Sequence, residues 1–501
     1  MWGGEGVGNM TKRIGLVTAS ILLGAGPALA QPAGEPTPPP APPASPPATT
    51  PAPPATPPAP PPVVTSPVEP PAAPPPVEKS TDKKPSLTSK LDIGFYGFVE
   101  MDSIYDSTQG LNDLAGNSAI ARPNTYAGDH SQLTFGARNS RIGMKLGAPE
   151  HDGIKVSGMM EMDFLGNQPP GISEGSFWQN APFRFRHINV KLETKAVDLL
   201  FGQFWQLFGW QGINQPNTVQ IQGIPGEVYS RAPQIRISKH IPSGNMSVDV
   251  AVAASRPPQR ASATPDGQAG IRLNFDKWKA WHTSGSAGTG LDSAMIGVSV
   301  VGRRFAANEF TANPHSQVVR NGYGLSVDAL LPLIPATKDK KDNALTLQGS
   351  YVTGAGIADL YTGLSGNVSN PSLPNPGMVT PAPTYTPNVD SGLVMWHKDA
   401  DGTFSLHPIQ WTSYLVGLQY YIPPGHVWLS ANYSHLESNN AHLYGAATKV
   451  FDNQDWFDGN IMADVTPFVR FGLEYSRTQQ TYVDKTEADD NRVQFSAFLL
   501  F

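Results

Sequence analysis

Between Leu91 and Phe501, apolar and polar side chains alternate with a period of two in segment after segment, each roughly 10 to 15 residues long. Residues two apart on an extended strand share a face, so each such segment has one apolar and one polar side. The clearest example sets Ile154, Val156, Gly158, Met160, Met162 and Phe164 against Lys155, Ser157, Met159, Glu161 and Asp163. The same reading fits Met246, Val248, Val250 and Val252 against Ser247 and Asp249. It also fits Val469, Phe471, Leu473 and Tyr475 against Arg470, Gly472 and Glu474. No stretch beyond Leu91 stays apolar for the roughly 20 residues that a membrane-crossing helix requires. Soluble sandwiches and membrane barrels both alternate in this way, so alternation alone leaves two architectures open.

Connection lengths and the C-terminal strand separate them. Counting from Leu91 gives about sixteen antiparallel strands, an even number, with long odd-numbered and short even-numbered connections. Long connections fall at Ser107 to Ser131, Gly166 to Pro182 and Gly356 to Pro408; short turns fall at Pro149 to Gly153, Thr194 to Val197, Pro242 to Gly244 and Pro423 to Gly425. Lys279 to Leu291 breaks the rule as a long even-numbered turn. The last strand, Asn491 to Phe501, places Val493, Phe495, Ala497, Leu499 and Phe501 on one face, an apolar edge that only closure against the Leu91 strand protects. Phe501 then reads as an assembly signal for barrel-assembly machinery. Trp205, Trp210, Trp411, Tyr420, Tyr421 and Trp428 lie near strand ends, as an interfacial aromatic girdle requires. The predicted fold is an all-β transmembrane antiparallel barrel over residues 91–501, in contact with outer-membrane lipid.

The rest of the chain has a different composition. Lys12 and Arg13 precede an apolar run from Ile14 to Ala25, and Ala28-Leu29-Ala30 offers a cleavage site, so residues 1–30 read as a signal peptide. Residues 31–90 contain nearly half of the 50 prolines and read as a disordered Pro-rich periplasmic linker. The absence of cysteine removes disulfides, thiolate zinc sites and thiol catalysis from consideration.

Catalytic signals are weak. Gly171-Ile172-Ser173-Glu174-Gly175 matches a nucleophile pattern, but it follows Pro169-Pro170 in a loop where no helix is expected to present the serine. The 11 histidines show no metal-ligand spacing. No catalytic residue, metal or cofactor is assigned, and no nucleic-acid partner is expected. A sixteen-strand barrel leaves a water-filled lumen. By strand parity Arg141, Lys145, Gln234, Arg236, Arg272, Asn274 and Arg470 point inward, as do Glu100, Asp163 and Glu474. Arg231 lies before its strand, and parity leaves its direction open.

Several segments together resemble the DcaP-like outer-membrane porins: Leu91 to Tyr105, Arg138-Asn139-Ser140-Arg141-Ile142-Gly143, Leu199 to Trp210, Ile221-Gln222-Gly223-Ile224-Pro225-Gly226, and Arg231-Ala232-Pro233-Gln234-Ile235-Arg236. The resemblance covers about residues 91–501. It implies a homotrimeric channel whose third loop folds inward and which passes small anionic solutes such as dicarboxylates. On that reading Arg141, Arg231, Gln234, Arg236, Arg272, Arg470 and Glu474 are the pore-lining and constriction set, with Arg231 and Arg236 flanking the end of the third loop. The alternative is a structural or adhesive outer-membrane barrel tethered to the cell wall by its Pro-rich arm.

Overall fold

The computed structural model describes residues 91–501 except 111–112, 115–119, 169–172, 213–214, 220–222, 285–287, 312, 338–339, 363, 365–392 and 445–450. The signal peptide, the Pro-rich linker and the middle of the long connection around Asn375 lie outside the described residues. The strands are β1 (Asp92–Asp106), β2 in two segments (Gln132–Gly136 and Arg141–Gly147), β3 (Lys155–Asp163), β4 (Arg184–Glu193), β5 (Asp198–Trp205) and β6 (Arg231–Ser243). They continue as β7 (Met246–Ser255), β8 (Asp266–Ser284), β9 (Gly288–Asn308), β10 (Gln317–Ile334) and β11 (Leu345–Ala355). The last five are β12 (Gln410–Ile422), β13 (Val427–Glu437), β14 (Phe451–Thr466), β15 (Val469–Tyr482) and β16 (Glu487–Leu500).

Each strand pairs antiparallel with the next. β16 returns to β1 in register from Phe98↔Leu500 to Asp106↔Arg492, and this closure leaves no open edge. Both segments of β2 pair with β1, so the 17 segments of the sheet form sixteen staves. The break in β2 has a local cause. Arg138 and Asn139 leave the ladder, Asn139 Nδ2 donates to Asp102 Oδ2 at 2.8 Å, and the Glu100 amide donates to Ser140 Oγ at 3.0 Å.

The wall is inverted relative to a soluble protein. Ile235, Val300, Leu473 and Phe495 face outward and are exposed, whereas Glu100, Asp163, Glu474 and Arg492 face inward and are almost fully covered. This is the alternation of the sequence with its apolar side turned outward. Long connections gather at one end, the loop end, and short turns at the other, the turn end. Two expectations are overturned. The tryptophans are not a girdle: Trp411, Trp428 and Tyr421 point inward and are buried, and Trp210 lies in the loop between β5 and β6. The outward aromatics include Tyr105, Tyr323, Tyr351, Tyr414 and Tyr475. The long turn at Lys279 to Leu291 is instead a hairpin, because β8 runs to Ser284 and β9 begins at Gly288. Its Ser- and Gly-rich tip looks like a long loop by composition, while the flanking backbone is paired.

At the loop end the connections build an apolar core of their own. A short hairpin (Val394–Lys398 and Phe404–Pro408) contributes Trp396 and Leu406, which are buried with Phe310, Ile224 and Trp456. This packing ties the described parts of the loops to one another over the barrel mouth.

Candidate permeation site

The described part of the connection between β5 and β6, residues 206–212, 215–219 and 223–230, folds into the lumen and is fastened on both sides. At its start the Phe208 amide donates to Gln268 Oε1 (2.9 Å) and the Gly209 amide to Ser299 Oγ (2.8 Å). The Trp210 indole lies against β8 and β9, where a Cβ on Gly270 or Gly297 would come within 2.9 or 2.7 Å of it. Its Nε1 donates to the Val298 carbonyl at 3.2 Å. Only glycine leaves room there for the ring. Across the lumen, the Asn217 carbonyl accepts from Asn432 and Asn460, each at 2.9 Å, and the Val219 amide donates to Glu474 Oε2 at 2.6 Å. The loop returns through a turn closed by the Glu227 amide on the Ile224 carbonyl (3.1 Å). Pro225 and Gly226 occupy its centre, and Gly226 has φ +80°, which fits the type II turn that Pro-Gly favours.

Beside this loop, charged residues from four strands converge. Asp163 is held by Arg184 at 2.6 and 2.9 Å and by Arg186 at 3.1 Å. Glu161 accepts from Arg186 at 2.7 Å and from the Tyr96 hydroxyl at 2.9 Å, with Arg141 Nε 3.7 Å away. Arg186 also donates to the Tyr229 hydroxyl at 3.1 Å. Arg231 is the first residue of β6 and its guanidinium lies over the rings of Trp205 (4.8 Å) and Tyr229 (5.2 Å). Among the described residues it has no carboxylate within ion-pair distance, and its Nη1 is buried without a hydrogen-bond acceptor.

A cavity of about 460 Å3 opens toward the turn end, lined among others by Lys145, Glu161, Asp198, Arg236, Lys239 and Arg272. Its carboxylates are engaged: Glu161 with Arg186, Asp198 with Lys191 at 3.1 Å, and Asp249 with Arg272 at 2.6 Å. Lys145 and Arg236 have no carboxylate partner among the described residues, so the local balance is positive. Gln234 prepares Arg236: its Oε1 accepts from Arg236 Nε at 3.0 Å, while its amide nitrogen binds the carbonyls of Phe204 and Trp205.

Arg470 and Glu474 face inward on the opposite wall. Arg470 is paired with Asp464 at 2.7 Å over the Trp428 ring, and Glu474 holds the inturned loop. The structure thus brings Arg141, Arg231, Gln234, Arg236 and Arg272 to one side and sets Arg470 and Glu474 apart. Glu227, which could have weakened a basic field, is buried in its own turn and accepts from the Ile224 amide at 3.1 Å. Burial pushes its carboxyl up to about 8, against the pull of that amide.

Parity missed Arg184, Arg186 and His187. A register shift opposite Glu161 and Met162 turns both Arg186 and His187 inward, which strict alternation forbids. The serine of the nucleophile-like pattern also differs from expectation. A helix, Glu174–Gln179, does follow it, because Ser173 caps that helix by accepting from the Ser176 amide at 3.2 Å. Gly171 and Ile172 lie outside the described residues.

No family model and no curated protein matches the chain. Among solved structures, the outer membrane channel DcaP of Acinetobacter baumannii matches with a TM-score of 0.59 at 18% identity, over 83% of this chain and 98% of that one. OprB of Pseudomonas putida matches with a TM-score of 0.45 at 10% identity, over 83% and 95%. An anion-selective porin from Comamonas acidovorans matches with a TM-score of 0.43 at 11% identity, over 82% and 100%. The chain shares the barrel fold of the DcaP outer membrane channel, the family its sequence resembles.

Proposed function

We propose that the chain is an outer-membrane porin that lets small polar solutes diffuse through its lumen and favours anions. The observation that carries this reading is the charge balance beside the inturned loop. Arg231, Arg236 and Lys145 lack carboxylate partners among the described residues, while the cavity's carboxylates are already paired. A guanidinium stays charged at any working pH and offers a carboxylate two parallel hydrogen bonds. Trp205 and Tyr229 stack against Arg231 and fix its direction, so the charge is in place before a solute arrives. Attraction must stay moderate for the solute to leave again.

The proposal extends to the whole chain. Residues 1–30 direct export, residues 31–90 lie in the periplasm within reach of the cell wall, three copies assemble, and Phe501 is read by barrel-assembly machinery. The loop end then faces outward from the cell. The test is uptake into proteoliposomes of an anionic, a neutral and a cationic solute of similar size. Arg231→Gln with Arg236→Gln is expected to slow the anion and leave the neutral solute unchanged. Equal slowing of all three would mean that the arginines hold the loop in place and do not select.

A further inference from the structure

The hairpin at the β8–β9 junction does not project away from the barrel. On β8 the register jumps from Phe275↔Ala294 to Lys279↔Ser293, which leaves Asp276, Lys277 and Trp278 out of the backbone ladder with β9, although the Ser293 hydroxyl donates to Asp276 Oδ1 at 3.1 Å. Extra residues on one strand bend a hairpin. The Asp276 amide donates to the Asn245 carbonyl at 2.9 Å, tying the bend to the β6–β7 turn. Beyond it the arms, residues 279–284 and 288–293, cross the turn end of the lumen. The Trp281 carbonyl accepts from Thr346 Oγ1 at 2.9 Å, and the Thr283 amide donates to Gln419 Oε1 at 3.1 Å. Thr283 Oγ1 lies 2.9 Å from the Tyr421 hydroxyl, and Arg470 Nη2 donates to Thr289 Oγ1 at 3.3 Å. Thr346, Gln419, Tyr421 and Arg470 are lumen-facing residues of β11, β12 and β15. The hairpin is therefore fastened inside the wall, several strands away from its origin.

The inturned loop meets the same surface from the other side. Val219 is buried in one apolar cluster with Tyr421, Trp428 and Phe498, and Trp281 of the hairpin packs against that cluster. Loop and hairpin together fill the lumen along β11 to β15. The basic cavity lies along β1 to β8.

We infer that the hairpin is a second selectivity element of the pore: it shuts the turn-end exit along β11 to β15 and obliges solutes to leave past Lys145 and Arg236. The wall along β11 to β15 is balanced in charge, because Arg470 and Lys341 face Asp464 and Glu474 lies beyond them, so opening it would add cross-section without adding net positive charge. This rests on the porin reading, and the experiment separates the two. The full chain, a chain in which residues 279–292 are replaced by an Asn-Gly turn, and the Thr283→Val, Tyr421→Phe double variant are each reconstituted in planar bilayers. Excision is expected to raise single-channel conductance roughly twofold, in step with the open cross-section, and to shift the zero-current potential away from anion preference. The double variant, which keeps the hairpin but loses its latch, is expected to show the same shifts in smaller measure. If both variants conduct and select as the full chain does, the hairpin stands outside the path and the inference fails. If excision prevents folding, the double variant decides alone: unchanged conductance and selectivity overturn the inference. A folded full chain that passes no ions overturns the porin reading itself.

Discussion

Arg186 is bound on three sides, by Glu161, Asp163 and the Tyr229 hydroxyl, while Arg236 touches no carboxylate among the described residues. Removing one partner of a buried ion pair leaves an uncompensated charge, at a cost of about 3–5 kcal/mol. Arg186→Ala is accordingly expected to lower the unfolding temperature of the detergent-solubilised barrel, and Arg236→Gln to leave it nearly unchanged; equal effects would show that the two arginines play one role. Glu227 makes a pH-dependent contribution of the opposite kind from a salt-bridged carboxylate. Its folded-state pKa is raised, to about 8, so between the ordinary carboxylate range and that value the folded chain binds more protons than the unfolded one. Stability therefore falls as pH rises through this window. Glu227→Gln is expected to flatten that fall in melting curves taken at pH 5 and pH 8, and an unchanged slope would place the titration elsewhere. Sequence parity located Arg141, Gln234, Arg236 and Arg272 because they lie on regular strands. It could not locate Arg186, whose inward turn depends on a register shift with no signature in the residue pattern.

Two elements shape the lumen, and they differ in how much of them the sequence displays. The inturned loop announces its return turn through Pro225-Gly226, and its flanks carry the family resemblance. The slot that receives Trp210 is written as isolated glycines, Gly270 and Gly297, on two strands distant from it in the chain. Filling that slot should free the start of the loop while leaving the ladder between β8 and β9 paired. Gly297→Val is thus expected to give a larger and noisier single-channel current than the unaltered chain, and an identical current trace would show that the loop is held by its far end alone. The β8–β9 hairpin is hidden in the sequence because Ser- and Gly-rich segments resemble loops, whereas its inward course is set by contacts with Thr346, Gln419 and Tyr421, far off in sequence. The positions of the tryptophans are hidden for a related reason. Nearness to a strand end suggests a girdle, but Trp411 and Trp428 sit on inward positions of β12 and β13 and pack beneath loops.

For the molecule as a whole, strand alternation, loop asymmetry and an apolar final strand defined a closed barrel, and the ring that joins β16 to β1 has that form. What remained hidden was the filling of the ring. The apolar core over the mouth, the loop across the middle and the hairpin across the turn end are all tertiary associations between segments whose local composition only marks them as connections. Together they leave an off-centre cavity along β1 to β8 whose unpaired charges, Lys145 and Arg236, are positive. The zero-current potential of the purified, folded chain in a planar bilayer under a potassium chloride gradient tests this account most directly. A potential displaced toward the chloride equilibrium value is the expected result; a potential at the potassium side, or a barrel that carries no current, would contradict it.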